Sequence, residues 1–229
     1  MKKIPQHIVL FPDGNRRWAK KKGLPSLKGH QQGYKNILEF SNWCKERGVK
    51  VLTAFGFSTE NWKRSKQEVN YLMSLAEVGL LESLKQFQKD DVRVKIIGDR
   101  TNLPKSLIKA INLIEDATKN NKKLHLNLAI SYGGKWDILN AAKQIVKNNI
   151  SPEKISEKVF ESYLSTAGLL DPDLIIRAGG EKRLSNFVLW QAAYAELYFS
   201  EKLWPDFSEK DLDEAFEEFD RRQRRFGGN

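Results

Sequence analysis

Apolar side chains recur along this chain in two rhythms. Short apolar-rich runs at residues 8–11, 49–57, 92–97, 124–130 and 174–176 end on glycine or charge, as strands covered on both faces of a parallel sheet do. Between them, apolar positions three and four apart mark helices over residues 29–47, with Ile37, Phe40 and Cys44 on one face, and over 67–89, 104–118 and 137–146. No repeat, low-complexity tract or Pro/Gly/Ser linker interrupts the alternation. The pattern therefore predicts one α/β domain over residues 1–229, with a mostly parallel central sheet of about six strands flanked by helices. The 67–89 helix has a broader apolar face than a surface helix needs, because Leu75, Val78 and Leu81 widen the stripe of Val69, Leu72, Met73, Ala76, Leu80, Leu84 and Phe87. Either it is buried on two sides or part of it lines a cavity for a greasy ligand.

The polar ends of the strands carry the candidate chemistry. The run Ile8-Val9-Leu10-Phe11 stops on Pro12, which cannot donate to a sheet ladder, and then on Asp13-Gly14-Asn15-Arg16-Arg17-Trp18. Asp13 and Asn15 are good N-caps, so a helix should open at Asn15 and end near Lys20-Lys21-Lys22-Gly23. Free N–H groups at that helix start, together with Arg17, make a phosphate cradle. Asp13 fits there if a cation, magnesium by preference, stands between it and the phosphate. The alternative is an Asp-Gly-Asn turn with its arginines in water.

The loop Ser58-Thr59-Glu60-Asn61-Trp62-Lys63-Arg64 should face the same crevice, beyond the carboxyl end of the second strand. Trp62 is there as a lid or as a residue that packs the loop down. A second anion cradle is expected where Arg177, Lys182, Arg183 and Ser185 flank Gly179-Gly180. His30, at the start of the second helix, is a neighbour of its cap or a phosphate donor.

Composition narrows the partner. With 39 basic and 29 acidic side chains the formal charge is +10, which calls for an anionic partner, although much of the excess is lysine on helix faces. A hydrophobic content of 40% with six Trp and twelve Phe argues against disorder. The single cysteine, Cys44, excludes an internal disulfide and suits a reducing cytoplasm. No run reaches the roughly 18 apolar residues of a membrane span, and the start lacks the apolar core of a signal peptide. No aromatic and basic motif for nucleic acid is present. Two anion cradles, a carboxylate suited to magnesium and a broad apolar helix point to chemistry between two phosphorylated molecules, at least one with a lipid tail.

Read in order, Asp13 to Ala19, Gly29-His30, Phe57 to Trp62, Asn127 with Tyr132 to Ile138, Arg177 to Asn186, Ala195 to Phe199 and Trp204 to Phe207 resemble the cis-prenyltransferases, and most of all the bacterial undecaprenyl diphosphate synthases. The resemblance runs from His7 to Gly228. It implies a magnesium-dependent homodimer of the cytoplasm, touching the inner membrane face through its lipid product. Such an enzyme condenses isopentenyl diphosphate onto an allylic diphosphate, here farnesyl diphosphate, to make a long-chain polyprenyl diphosphate of the undecaprenyl type, a cell-wall lipid carrier. The growing chain would occupy a hydrophobic tunnel, with Gly56 leaving room at its wall. The same fold making a short or branched product is the alternative.

The resemblance also implies roles. Asp13 and Asn61 are the catalytic residues, and Asp13 and Glu196 hold the metal. Gly14, Asn15, Arg16, Arg17, Trp18 and His30 bind the primer's diphosphate, with Ser58, Thr59, Glu60, Trp62 and Arg64 in the loop that closes over it and Glu68 at that loop's end. Arg177, Arg183 and Ser185 bind isopentenyl diphosphate, and Arg225-Phe226-Gly227 reaches into the partner subunit's site. Pro12, Ser26, Ala178 and Lys182 depart from the family's usual residues, of which Ser26 stands where an arginine often meets the primer.

Overall fold

The computed structural model describes residues 3–222. Six strands, β1 (His7–Phe11), β2 (Val51–Ser58), β3 (Val92–Ile97), β4 (Leu124–Tyr132), β5 (Leu174–Arg177) and β6 (Glu196–Phe199), form one sheet in the order β3-β4-β2-β1-β5-β6, with every pairing parallel. Among the described residues the helices are α1 (Asn15–Lys21), α2 (Ser26–Glu46), α3 (Lys66–Lys89), α4 (Lys105–Thr118), α5 (Gly134–Lys147), α6 (Glu157–Glu161) and α7 (Glu209–Arg221). None is long and apolar enough to cross a membrane.

β1 shows why the apolar runs are unbroken. All five of its residues are buried, and its side chains alternate between two cores. Ile8 and Leu10 join the larger core with Phe40 of α2, Leu80 of α3, Ile111 of α4 and Phe216 of α7. Val9 and Phe11 join the smaller one with Tyr132, Ile175 and Phe187. β6, an edge strand, is half-exposed, and at four residues it is too short for its pattern to stand out in the sequence.

Boundaries shift at the helix starts. α2 begins at Ser26 and α5 at Gly134, each three residues before the pattern places it. At α1 the expected cap is wrong. Gly14, not Asp13 or Asn15, is the N-cap, with φ 102° and no side-chain acceptor. A Cβ on Gly14 would stand 2.8 Å from Leu203, so both conformation and space exclude a larger residue.

Strand order then fixes where a ligand can sit. The chain leaves β1 for β2, β3 and β4 on one side and returns to its other side as β5 and β6. At such a reversal the loops after neighbouring strands splay apart and open a crevice. The loops after β1, β2 and β5 hold Asp13, Ser58 to Arg64 and Arg177 to Ser185.

Candidate active site

A cavity of about 890 Å³ opens at that crevice and runs between α2, α3 and the sheet. Its mouth is polar. Arg16, Arg17, Arg64 and Arg177 face it with Asp13 and Glu60 as the acids, so the head of the cavity has two more cations than anions. Its depth is aliphatic, walled by Ile37, Leu72, Met73, Ala76, Leu80 and Ile130 among others. Of the three residues that broaden the apolar face of α3, Leu75 lines this cavity, whereas Val78 and Leu81 are exposed on the surface.

Asp13 and Arg177 are the centre of the polar end. Arg177 is 5% exposed and donates from Nη2 to Asp13 Oδ2 at 2.9 Å, and from Nη1 to Ser185 Oγ at 2.8 Å and to the Arg183 carbonyl. Its guanidinium lies 5.0 Å from the Phe11 ring centre, while its buried Nε–H has no partner. Arg17 approaches the other carboxylate oxygen of Asp13 at 3.5 Å. The close meeting of these loops requires Gly179, at φ 91°, since a Cβ there would stand 2.8 Å from Arg17 Nη2 and 3.0 Å from the Asp13 carbonyl.

A second group sits where the β2 loop meets α2 and α3. His30 Nε2 lies 3.7 Å from Glu68 Oε1, which accepts from Arg64 at 3.0 Å. Burial, reinforced by the Arg64 charge, pushes the imidazole down to about 4, so His30 is neutral at pH 7. Asn61 Oδ1 accepts from the Ser58 N–H and closes the turn Thr59–Lys63. In β2 the pairing with β4 slips between Phe55 and Phe57, a bulge that sets Gly56 at the cavity wall.

Of the expected site residues, Asp13, Gly14, Asn15, Arg16, Arg17, His30, Ser58, Glu60, Asn61, Arg64, Arg177 and Ser185 line this one cavity. Trp18, Thr59, Trp62, Arg183 and Glu196 do not. Trp18 donates from its indole to Asp206 at 2.7 Å, and Trp62 to Ser131 at 2.9 Å with its ring on Phe57, so both pack loops down. Arg183 is exposed and pairs with Glu181 at 2.5 Å. Glu196 pairs with Arg222 at 2.8 Å. In register it lies beside Leu174, three residues of strand, about 10 Å, from the level of Arg177. The tail at Arg225-Phe226-Gly227 lies outside the described residues.

Asn186 was missed. It bonds Glu60 at 2.7 Å through its amide nitrogen, and its two oxygens accept the N–H groups of Gly134 and Lys135 at 2.6 and 2.9 Å. Burial would raise the Glu60 carboxyl, but the Asn186 bond and its own turn hold it below the usual range. Ser185, Asn186 and Val188 all have positive φ. An Asn after Ser in a glycine-led loop is the signal that could have found this left-handed turn.

The fold and the cavity define an enzyme class: a parallel α/β sheet holding, at its switch point, a cationic mouth on an aliphatic barrel, which suits substrates with an anionic head and an apolar tail. The Prenyltransf family model, described as undecaprenyl diphosphate synthase, matches residues 11–227. An isoprenyl transferase of Thermotoga maritima is 47% identical over 99% of this chain and 98% of its own length. A chloroplastic nerylneryl diphosphate synthase of Solanum lycopersicum is 50% identical over 99% of this chain and 72% of its own. The crystal structure of lavandulyl diphosphate synthase from Lavandula x intermedia, in complex with dimethylallyl diphosphate, superposes with TM-score 0.93 at 40% identity over 97% of this chain and 98% of that one. This chain belongs to the undecaprenyl diphosphate synthase family of prenyltransferases, and it is a prenyltransferase of isoprenoid biosynthesis.

Proposed function

We propose that this enzyme adds isopentenyl diphosphate to an allylic diphosphate primer, farnesyl diphosphate, and repeats the addition to give a long-chain polyprenyl diphosphate of the undecaprenyl type. One observation carries the reading: four arginines and a run of aliphatic side chains share a single cavity. In each cycle the allylic carbon–oxygen bond breaks with its electron pair on the departing diphosphate. The isopentenyl double bond forms the new carbon–carbon bond, and that unit loses a proton.

The chain's own residues serve these events as follows. Arg16, Arg17 and Arg64 neutralise the primer's diphosphate, with neutral His30 beside it as a hydrogen-bonding group. Arg177 and Ser185 bind the second diphosphate, and the unpartnered Nε–H of Arg177 is a charged donor ready for one of its oxygens. Asn61 holds the loop over the primer. The aliphatic walls keep water from the carbocation and hold the tail.

The residues also fit magnesium. Asp13 keeps about a third of its side chain exposed at the mouth, and magnesium is typically held by one or two carboxylates plus phosphate oxygens. Among the described residues no three metal-ligating side chains cluster, so the substrate would complete the coordination. Bound there, the ion would stabilise charge on the departing diphosphate. Glu196 could support the metal only from elsewhere than its place in this chain, beside Arg222. A homodimer would use the edge of β6, where Leu197 is exposed, with Tyr194 just before the strand.

A short or branched product is the second reading, favoured by the close superposition on lavandulyl diphosphate synthase. Incubation with magnesium, farnesyl diphosphate and labelled isopentenyl diphosphate, followed by sizing of the extracted lipid, tests both. Products of ten or more units support the first, one added unit supports the second, and no incorporation overturns both.

A further inference from the structure

Beside the cavity, the cleft between α2 and α3 is closed by one side chain that also lines it. Tyr34 of α2 lays its ring directly over Gly79 of α3, where a Cβ would stand 2.3 Å from Tyr34 Cζ, and its hydroxyl reaches Ser83 Oγ at 3.2 Å. The cavity follows α3 through Leu72, Met73, Leu75, Ala76 and Leu80 and goes no further, and on α2 it ends at Ile37. The same cleft opens again just beyond. A separate space of about 40 Å³ is lined by Ser41 and Lys45 of α2 and by Ser83, Gln86, Phe87 and Asp90 of α3. Ser83, which holds the Tyr34 hydroxyl, is thus the wall of the second space, and the Tyr34–Ser83 pair partitions one interhelical cleft into two.

We infer that Tyr34, seated in the notch of Gly79 and tied to Ser83, is the stop that sets the length of the product. The inference rests on the prenyl-elongation reading above. Glu68, level with His30 at the mouth, is eleven residues before Gly79, which is about 16 Å of helix. An isoprene unit places four carbons in the chain and spans roughly 5 Å when extended, given carbon–carbon bonds near 1.5 Å. Tyr34 itself is four residues past His30 on α2, about 6 Å, so an extended tail meets the ring within about three units, and each further unit must coil within the 890 Å³ of the cavity. Length is limited when no coiled arrangement remains. Without the ring, the cleft would run on through the second space towards Lys45 and Asp90, which are paired at 3.2 Å at its end.

The test is the product profile, sized after incubation with magnesium, farnesyl diphosphate and labelled isopentenyl diphosphate. Tyr34→Ala and Tyr34→Leu should each lengthen the mean product by at least one unit. Gly79→Ala should shorten it by at least one, because the added methyl drives the ring into the cavity. In the Tyr34→Ala/Gly79→Ala double variant that shortening should vanish, since there is no ring left to displace. Thermal unfolding of each variant checks that it is folded. Profiles identical to the parent's in both Tyr34 variants, or a shortening by Gly79→Ala that persists in the double variant, overturn the inference while leaving the reaction standing. No incorporation by the unmodified enzyme overturns the reaction itself, and this inference with it.

Discussion

Arg177 Nη2 and Asp13 Oδ2 meet at 2.9 Å although 164 positions separate them in the chain. β1 and β5 are adjacent parallel strands whose register sets Phe11 beside Arg177, so the carboxylate two residues past one strand end is brought to the guanidinium at the other. Arg177 is buried and needs a counter-charge, while Asp13 remains partly open to the cavity. The pair is both a clasp between two loops and the group around which the polar end is arranged.

Asp13→Asn removes the charge and keeps the shape. We expect the fold to persist, since Arg177 retains its bonds to Ser185 and the Arg183 carbonyl, and turnover with magnesium to fall by at least about 100-fold, the loss of two or three kcal/mol of transition-state stabilisation. Incorporation of labelled isopentenyl diphosphate measures it, and a near-normal rate would remove Asp13 from the metal role.

The two arginines of the β5 loop should differ. Arg177→Ala deletes a buried donor at the cavity and should raise the Michaelis constant for isopentenyl diphosphate by about 10- to 150-fold, the worth of a charged hydrogen bond of roughly 1.5–3 kcal/mol. Arg183→Ala removes an exposed side chain paired with Glu181 and should change it by no more than a few-fold. Equal effects in the two variants would show that Arg183 swings into the site when substrate binds.

Acid should destabilise the fold through its two buried histidines. Burial holds both His7 and His30 down to about 4, whereas in the unfolded chain each titrates near 6.5. Between those values the unfolded state binds more protons, so stability falls as pH drops from about 6.5 towards 4 and is flat above, by up to about 3 kcal/mol for each histidine. The urea midpoint at pH 7.5 and at pH 5 reads this directly. His30→Gln should lessen the difference, and an unchanged difference would mean that His30 is protonated in the native state.

Gly179→Ala should cost stability through its φ of 91° and binding through the contacts its Cβ would make with Arg17 and the Asp13 carbonyl. A residue forced into that region costs on the order of 1–3 kcal/mol. We expect a lower unfolding temperature together with higher Michaelis constants for both substrates. A variant with lowered stability but unaltered constants would show that the loops meet without the glycine's help.

Much of this protein is determined locally and is legible in its sequence. Strands and helices announce themselves by the period of their apolar residues, because the inner strands are buried on two faces and the helices chiefly on one. The strand ends carry their chemistry openly, since a carboxylate, glycines and arginines after an apolar run have few structural uses. Gly14 illustrates the boundary of that legibility: a glycine between Asp and Asn reads as a turn, but only Leu203, packed against it from far along the chain, shows why it caps the helix.

What the tertiary structure decided is which of these groups meet. Parallel pairing of β1 with β5 joined Asp13 to Arg177, and the same strand register carried Glu196 to the opposite end of β6, where it bonds Arg222. Trp18 and Trp62 sit in site motifs yet turn to Asp206 and Ser131, because a partly buried indole N–H takes an acceptor that the fold brings beside it, whatever the motif around it. Tyr34 had no local mark at all. Its meaning arises only from the glycine of another helix lying under its ring, a contact set by how α2 and α3 pack and therefore absent from either segment alone.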